Sequence, residues 1–140
     1  MAGLFLEDLG IGQTAELQHT VTDADIRAFA AVSGDDNPVH LDEAYAATTP
    51  FKTRIAHGML SAGYISAVLG TRLPGPGAIY LSQTMNFRRP VRIGDEVLTR
   101  ATVSAIDTER ARVTLVTICE VGGKAVVEGE AVVMVPRRDA

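Results

Sequence analysis

The sequence contains a single cysteine, Cys119, so no intrachain disulfide can support the fold. It also has no long apolar run. The longest, Met59 to Leu73, is interrupted by Ser61, Ser66 and Arg72 and stopped by Pro74-Gly75-Pro76-Gly77, short of the roughly 20 residues that a bilayer span needs. No positively charged leader with an apolar stretch and a small-residue cleavage site precedes the first predicted strand, and a reducing, cytoplasmic location is expected. Positive charge is not in excess: 13 Lys and Arg stand against 17 Asp and Glu, a net charge of -4, so nothing global draws the chain to nucleic acid or anionic lipid. The three histidines lack metal-site spacing with one another, there is no cysteine cluster, and Asp42 is better used as a helix cap, so no metal is expected. A nucleotide-binding glycine loop is missing too, because Gly70 to Gly77 follows a predicted helix and contains two prolines.

What is present suits one folded domain over residues 1–140. The hydrophobic fraction is 46% and the charged fraction 21%, ordinary for a globular chain with one core. Gln13 to Val21 reads as a first strand, with Leu4 to Gly12 lying across the surface. Thr22-Asp23-Ala24-Asp25 is a capping box, and the helix it opens is predicted to end at Ser33-Gly34. Asp42 caps a short helix through Tyr45 and Ala47, which Pro50 prevents from extending. From His57 to about Leu73 apolar and small residues occupy nearly every side, as expected of a helix wrapped by the rest of the chain. The second half supplies the wrapping. Tyr80–Phe87, Glu96–Ile106, Ala111–Val121 and Lys124–Val135 are rich in Val, Ile and Thr, and Gly122-Gly123 signals a hairpin between the last two. The expected architecture is α+β: one long helix against an antiparallel sheet.

Chemistry concentrates in Ser33-Gly34-Asp35-Asp36-Asn37-Pro38-Val39-His40-Leu41-Asp42, followed by His57-Gly58-Met59. Asp35 and His40 put a carboxylate and an imidazole five residues apart in a loop, beside a helix start. That combination suits acid and base work on a carbonyl compound. The other reading is that Asp35, Asp36, Asn37 and Pro38 are turn formers bonding their own backbone. Gly58 is the candidate oxyanion donor, since its N–H lies in the first helical turn and the missing side chain admits an oxygen; alternatively it serves only the turn into the helix. His57 is expected to cap or brace this entry, and His19 to be an exposed or edge residue. Arg88, Arg89 and Arg92 around Pro90 are either a phosphate-binding cluster or a solvated edge. Cys119 is read as a small buried residue.

These residues are familiar in combination. The D-x-N-P-x-H-x-D loop with Tyr45-Ala46, then Phe51, Ile55-Ala56-His57-Gly58-Met59-Leu60, Asn86-Phe87, Pro90-Val91 and Gly94-Asp95-Glu96-Val97 resembles the MaoC-like, R-specific enoyl-CoA hydratases of the hot dog fold. The likeness runs in order from about Gly10 to Val135. It implies an antiparallel sheet wrapped around a long central helix, with an overhanging segment over Thr22 to Lys52 that shapes an acyl pocket. It further implies that Asp35 and His40 are the catalytic pair holding the reacting water, with Asn37 helping to orient them. At Gly63 the chain departs from relatives that carry a serine; Ser61 and Ser66 are the nearby hydroxyls.

The reaction so implied is reversible hydration of trans-2-enoyl-CoA to the (R)-3-hydroxyacyl-CoA. Coenzyme A is then part of the substrate and no separate cofactor is expected. A homodimer or higher homo-oligomer is implied, with sheets joined edge to edge and the CoA moiety along the boundary. Arg88, Arg89 and Arg92 would take its phosphates, and Ala47, Phe51 and Leu69 are candidates for lining the acyl slot. The alternatives are a 3-hydroxyacyl-thioester dehydratase acting on CoA or acyl-carrier-protein esters, a hot dog thioesterase, and an acyl-CoA-binding domain without turnover.

Overall fold

The computed structural model describes residues 2–139. Five strands form one antiparallel sheet: β1 (Thr14–Thr20), β2 (Ile79–Phe87), β3 (Glu96–Asp107), β4 (Arg112–Val121) and β5 (Lys124–Met134), in the order β1-β3-β4-β5-β2. Before the last four come the helices α1 (Asp23–Ser33), α2 (Pro38–Leu41), α3 (Glu43–Ala46) and α4 (Gly58–Thr71). This is the expected α+β arrangement, with α4 against β3 and touching β1 and β4.

The local signals act as their chemistry requires. Thr22 and Asp25 form the reciprocal capping box at the start of α1, and Gly34 closes it in the left-handed conformation, its N–H bonding to the Ala30 carbonyl at 2.9 Å. Asp42 caps α3 by accepting the Tyr45 N–H at 3.1 Å. Gly122 and Gly123 both have positive φ, 58° and 79°, which is what a two-residue turn matched to strand twist demands.

Helix α4 is buried on one side only. Ser61, Tyr64, Ile65, Val68 and Leu69 face the sheet, and each of the fully buried aliphatics contributes roughly 1.5–3 kcal/mol by leaving water. Met59, Gly63, Ser66 and Gly70 on the other side are exposed in the single chain. Within the single chain the five-stranded sheet wraps one face of the helix, and the small residues leave the other open. Strand β2, at the sheet edge, likewise exposes Ile79, Tyr80, Leu81 and Phe87.

Two expectations shift, and the reading of Cys119 as a buried residue holds. Leu4 to Leu9 does not merely cross the surface: Leu6 is buried, Leu4 and Leu9 pack on the core, and the Leu4 and Leu6 amides donate to Pro74 and Pro136. His19 lies on the edge strand β1 as expected, but its ring turns inward and stacks flat on Tyr64 at 4.3 Å. Burial first, then the Asp25 charge, pushes the Tyr64 phenol up to about 12. Cys119 is buried among Thr99 and the Ser61 carbonyl, and burial raises its thiol, so it packs rather than reacts.

Gly129 lies against the backbone of the neighbouring strand with no room for a side chain. A Cβ there would stand 1.8 Å from the Thr84 carbonyl oxygen of β2, a main-chain atom that can move only by parting the strands. Gly129→Ala is expected to lower unfolding free energy by roughly 1–3 kcal/mol in urea titrations; unchanged stability would show that the strands yield freely.

Candidate active site

The loop after α1 is built from side-chain bonds to its own backbone. Ser33 donates its hydroxyl to the Phe29 carbonyl at 2.7 Å and accepts the Asp35 N–H at 3.1 Å. Asp35 Oδ1 accepts the Asn37 N–H at 3.3 Å, and Asn37 Oδ1 accepts the Val39 N–H at 3.2 Å, capping α2 with Pro38 in its first turn. The turn-former reading is thus visible in the structure, and it coexists with a site: Asp35 bonds its own turn through one carboxylate oxygen, while α2 swings His40 toward it. Asn37 reaches the pair only through the backbone, as the cap of the turn that carries His40.

His40 is buried, and its Nδ1–H donates to the Ile55 carbonyl at 2.8 Å. That bond assigns the Nδ1–H tautomer to the neutral ring and leaves Nε2 as the free base. His57 occupies the N-cap position of α4 without a capping bond; its Nε2–H instead donates to the Asp35 carbonyl at 2.9 Å. It braces rather than caps. The two imidazoles stack at 3.9 Å, and Phe29 lies 4.7 Å from the far ring. One ligating atom each from Asp35, His40 and His57 falls within 4.8 Å of the others. Spacing along the chain was therefore a poor guide to how near these histidines lie. Their rings lie face to face, stacked on each other.

Arg54, which no motif singled out, holds this assembly from behind. Its Nε–H donates to the His40 carbonyl at 2.6 Å, and its terminal nitrogen bonds to Asp23 at the start of α1 at 2.7 Å. The Arg54 guanidinium, followed by that of Arg27, holds the Asp23 carboxyl below its usual value.

Beside His57 opens a cavity of about 530 Å³, whose walls include neither Asp35 nor His40. Phe51, His57, Gly58, Met59, Ser61, Phe87, Arg88 and Arg89 are among its walls. Gly58 meets it at the first turn of α4, where amides lack intrahelical acceptors. A Cβ on Gly58 would lie 2.7 Å from the Phe87 ring, so the missing side chain also lets that ring close down on the helix start. Sequence reasoning placed Phe87 only in a motif; the contact with Gly58 joins elements far apart in the chain. Arg88 is paired with Glu128 at 2.7 Å and Arg89 bonds the Ala125 carbonyl at 2.6 Å, both at the cavity edge. Arg92 is not a wall residue. Its backbone bonds Asp95 and its guanidinium the Phe51 carbonyl. Of the three lining candidates only Phe51 lies in the wall. Leu69 points into the core, 2% exposed, and Ala47 ends α3 in solvent. Gly63 lies on the open side of α4, whereas Ser61 lines the cavity.

The family described as MaoC like domain matches residues 7–129. The chain belongs to that family. This MaoC-like chain is 59% identical to an (R)-specific enoyl-CoA hydratase of Rhodospirillum rubrum over 96% of its length and 93% of that protein. It is 54% identical to a 3-hydroxybutyryl-CoA dehydratase of Methylorubrum extorquens, over 97% of this chain and 87% of the other. The unliganded R-hydratase PhaJ1 of Pseudomonas aeruginosa superposes with a TM-score of 0.92 at 50% identity, covering 97% of this chain and 88% of that one. The MaoC-like hot dog fold is thereby established for the chain.

The Arg54 contact has a pH signature. Because the folded-state Asp23 value lies below the ordinary 3.8, its stabilisation is complete above about pH 4 and is lost as pH falls through the folded-state value. The stability difference between the wild type and Asp23→Asn, from urea unfolding, is expected to be largest near neutrality and to close in acid. A constant difference would remove the ion pair from the account.

Proposed function

We propose that this chain is a reversible hydro-lyase, an (R)-specific enoyl-CoA hydratase that adds water syn across trans-2-enoyl-CoA to give the (R)-3-hydroxyacyl-CoA. The observation that carries the reading is the approach of the Asp35 carboxylate to the His40 imidazole, next to His57, which together with Gly58 lines a cavity at the first turn of α4. Hydration puts hydroxyl on C3 and a proton on C2, with enolate-like charge on the thioester oxygen between. Asp35 and His40 hold the water and exchange the protons as one coupled pair. The Gly58 N–H, at a helix end that favours negative charge, faces the thioester oxygen, a service worth about 10²–10³ in rate in other enzymes. Arg88 and Arg89 at the rim take the CoA phosphates. Arg92, tied to Phe51 and Asp95, is outside this set.

The same chemistry runs backwards as dehydration of a 3-hydroxyacyl thioester, and the Methylorubrum relative is named for that direction. Plant mitochondrial relatives at 33–34% identity are named for acyl-carrier-protein substrates; comparing CoA and carrier-protein esters of one acyl group separates the handles. A thioesterase would release free thiol instead. No helix among the described residues is long and apolar enough to cross a membrane. The reading takes residues 1–140 as one domain in the cytoplasm, supported by a lone buried cysteine. It also takes the chain as at least a homodimer. Supporting this are the apolar side chains along edge strand β2 and the open face of α4. Sedimentation at micromolar protein is expected to find at least twice the monomer mass, and a monomer alone would contradict the assembly.

Added to crotonyl-CoA, the protein is expected to bleach the conjugated thioester absorbance. Asp35→Asn and His40→Ala should each lower kcat by about 10²–10⁴. Full activity in either variant removes that residue from the mechanism.

A further inference from the structure

His57 fills no role in the reaction as written, yet its side chain touches both Asp35 and His40. It is 3% exposed, its Nε2–H donates to the Asp35 main-chain carbonyl at 2.9 Å, and its ring lies between His40 at 3.9 Å and Phe29 at 4.7 Å. Its other nitrogen, Nδ1, is buried with no partner among the described residues. Burying an unpaired ring nitrogen carries a desolvation cost that a phenyl group of the same shape would not. Space filling and stacking therefore do not account for an imidazole here. What the imidazole adds is one bond, to the carbonyl of the residue whose carboxylate is needed.

We propose that His57 is a positioning residue for hydration, acting through both members of the acid/base pair. Its Nε2–H fixes the Asp35 peptide, and its face fixes the plane of the His40 ring. The Asp35 loop needs such a fixture because its other bonds are local to an exposed turn: Asp35 N–H to Ser33 at 3.1 Å, Asp36 N–H to the Gly34 carbonyl at 3.1 Å and Asn37 N–H to Asp35 at 3.3 Å. Loss of the His57 donor frees the Asp35 carbonyl to rotate and takes the carboxylate off the water, a displacement of the kind that costs about a hundredfold in rate per ångström. Because His57 follows Ala56, whose N–H bonds the Val91 carbonyl at 2.7 Å, the fixture is anchored to the segment that leads into β3.

The inference rests on the hydratase reading, so the wild type must first turn over crotonyl-CoA; its failure would sink that reading and not this one. His57→Phe keeps the ring and the stack but removes the donor. His57→Gln places an amide N–H near the Nε2 position, and His57→Asn places one near Nδ1. His57→Phe is expected to lower kcat by about 30-fold or more with KM within about threefold, and His57→Gln to recover to within about fivefold of wild type. A kcat for His57→Phe within about threefold of wild type, or an effect on KM alone, overturns the proposal. Thermal unfolding of each variant separates misfolding from misplacement. If the Phe variant does not fold, the Gln and Asn variants decide: the proposal requires Gln to exceed Asn in kcat by about tenfold, and equal values overturn it.

Discussion

The bond from His40 Nδ1–H to the Ile55 carbonyl is the constraint on which the site depends. It selects the tautomer, and it ties a four-residue helix that cannot be stable by itself to a segment that is held at several points. The Ile55 N–H bonds the Val39 carbonyl at 3.3 Å, Ile55 pairs with Arg92 as an isolated bridge, and the next amide bonds Val91. Val91 is buried in the core. The imidazole is thus referenced to the core through three links, each a main-chain bond or a buried side chain. A base placed by an exposed loop alone would lack that reference.

The division of labour follows from where burial is available. The sheet and the inner face of α4 bury Val, Ile and Leu and supply rigidity, but strands that pack on both neighbours have no room for a carboxylate that must meet water. The proposed acid/base pair lies outside the sheet, Asp35 on the loop after α1 and His40 on α2. The helices there are held by caps at Thr22, Asn37 and Asp42 and by Arg54, which reaches from the entry to α4 back to α1. Asp35 stays exposed and His40 buried, so one partner keeps contact with solvent while the other is fixed by the protein.

Elements specified by neighbours in sequence were legible in it. The capping box at Thr22 and Asp25, the Asp42 cap, the Gly122-Gly123 hairpin and the four later strands lie within a residue or two of where local chemistry puts them. The Asp35/His40 pair was legible for the same reason, being confined to one loop. What stayed hidden is tertiary. Arg54 meets Asp23 from 31 positions away, His57 meets His40 from the far side of α3, and Phe87 meets Gly58 from another strand. The packing of Leu4 and Leu6 on the core and the inward turn of His19 belong to the same class. A helix apolar on nearly every side also says which residues seek cover without saying what covers them, and within the single chain one face of α4 is open.

That open face and the cavity are one surface. Met59 and Phe87 are 53% and 55% exposed and both are walls of the cavity. Strand β2 continues the apolar surface through Ile79, Tyr80 and Leu81 along an unpaired sheet edge, the kind of edge that chains either blunt with charge or cover. Here no lysine blunts it: Ile79 to Phe87 carries no charged side chain. An edge left in this state is built to be paired, and whatever pairs with β2 also approaches the Phe87 ring that rests on Gly58. In the proposed homodimer a partner packed along β2 would lie beside Phe87, and so beside the first amide of α4 on which that ring rests.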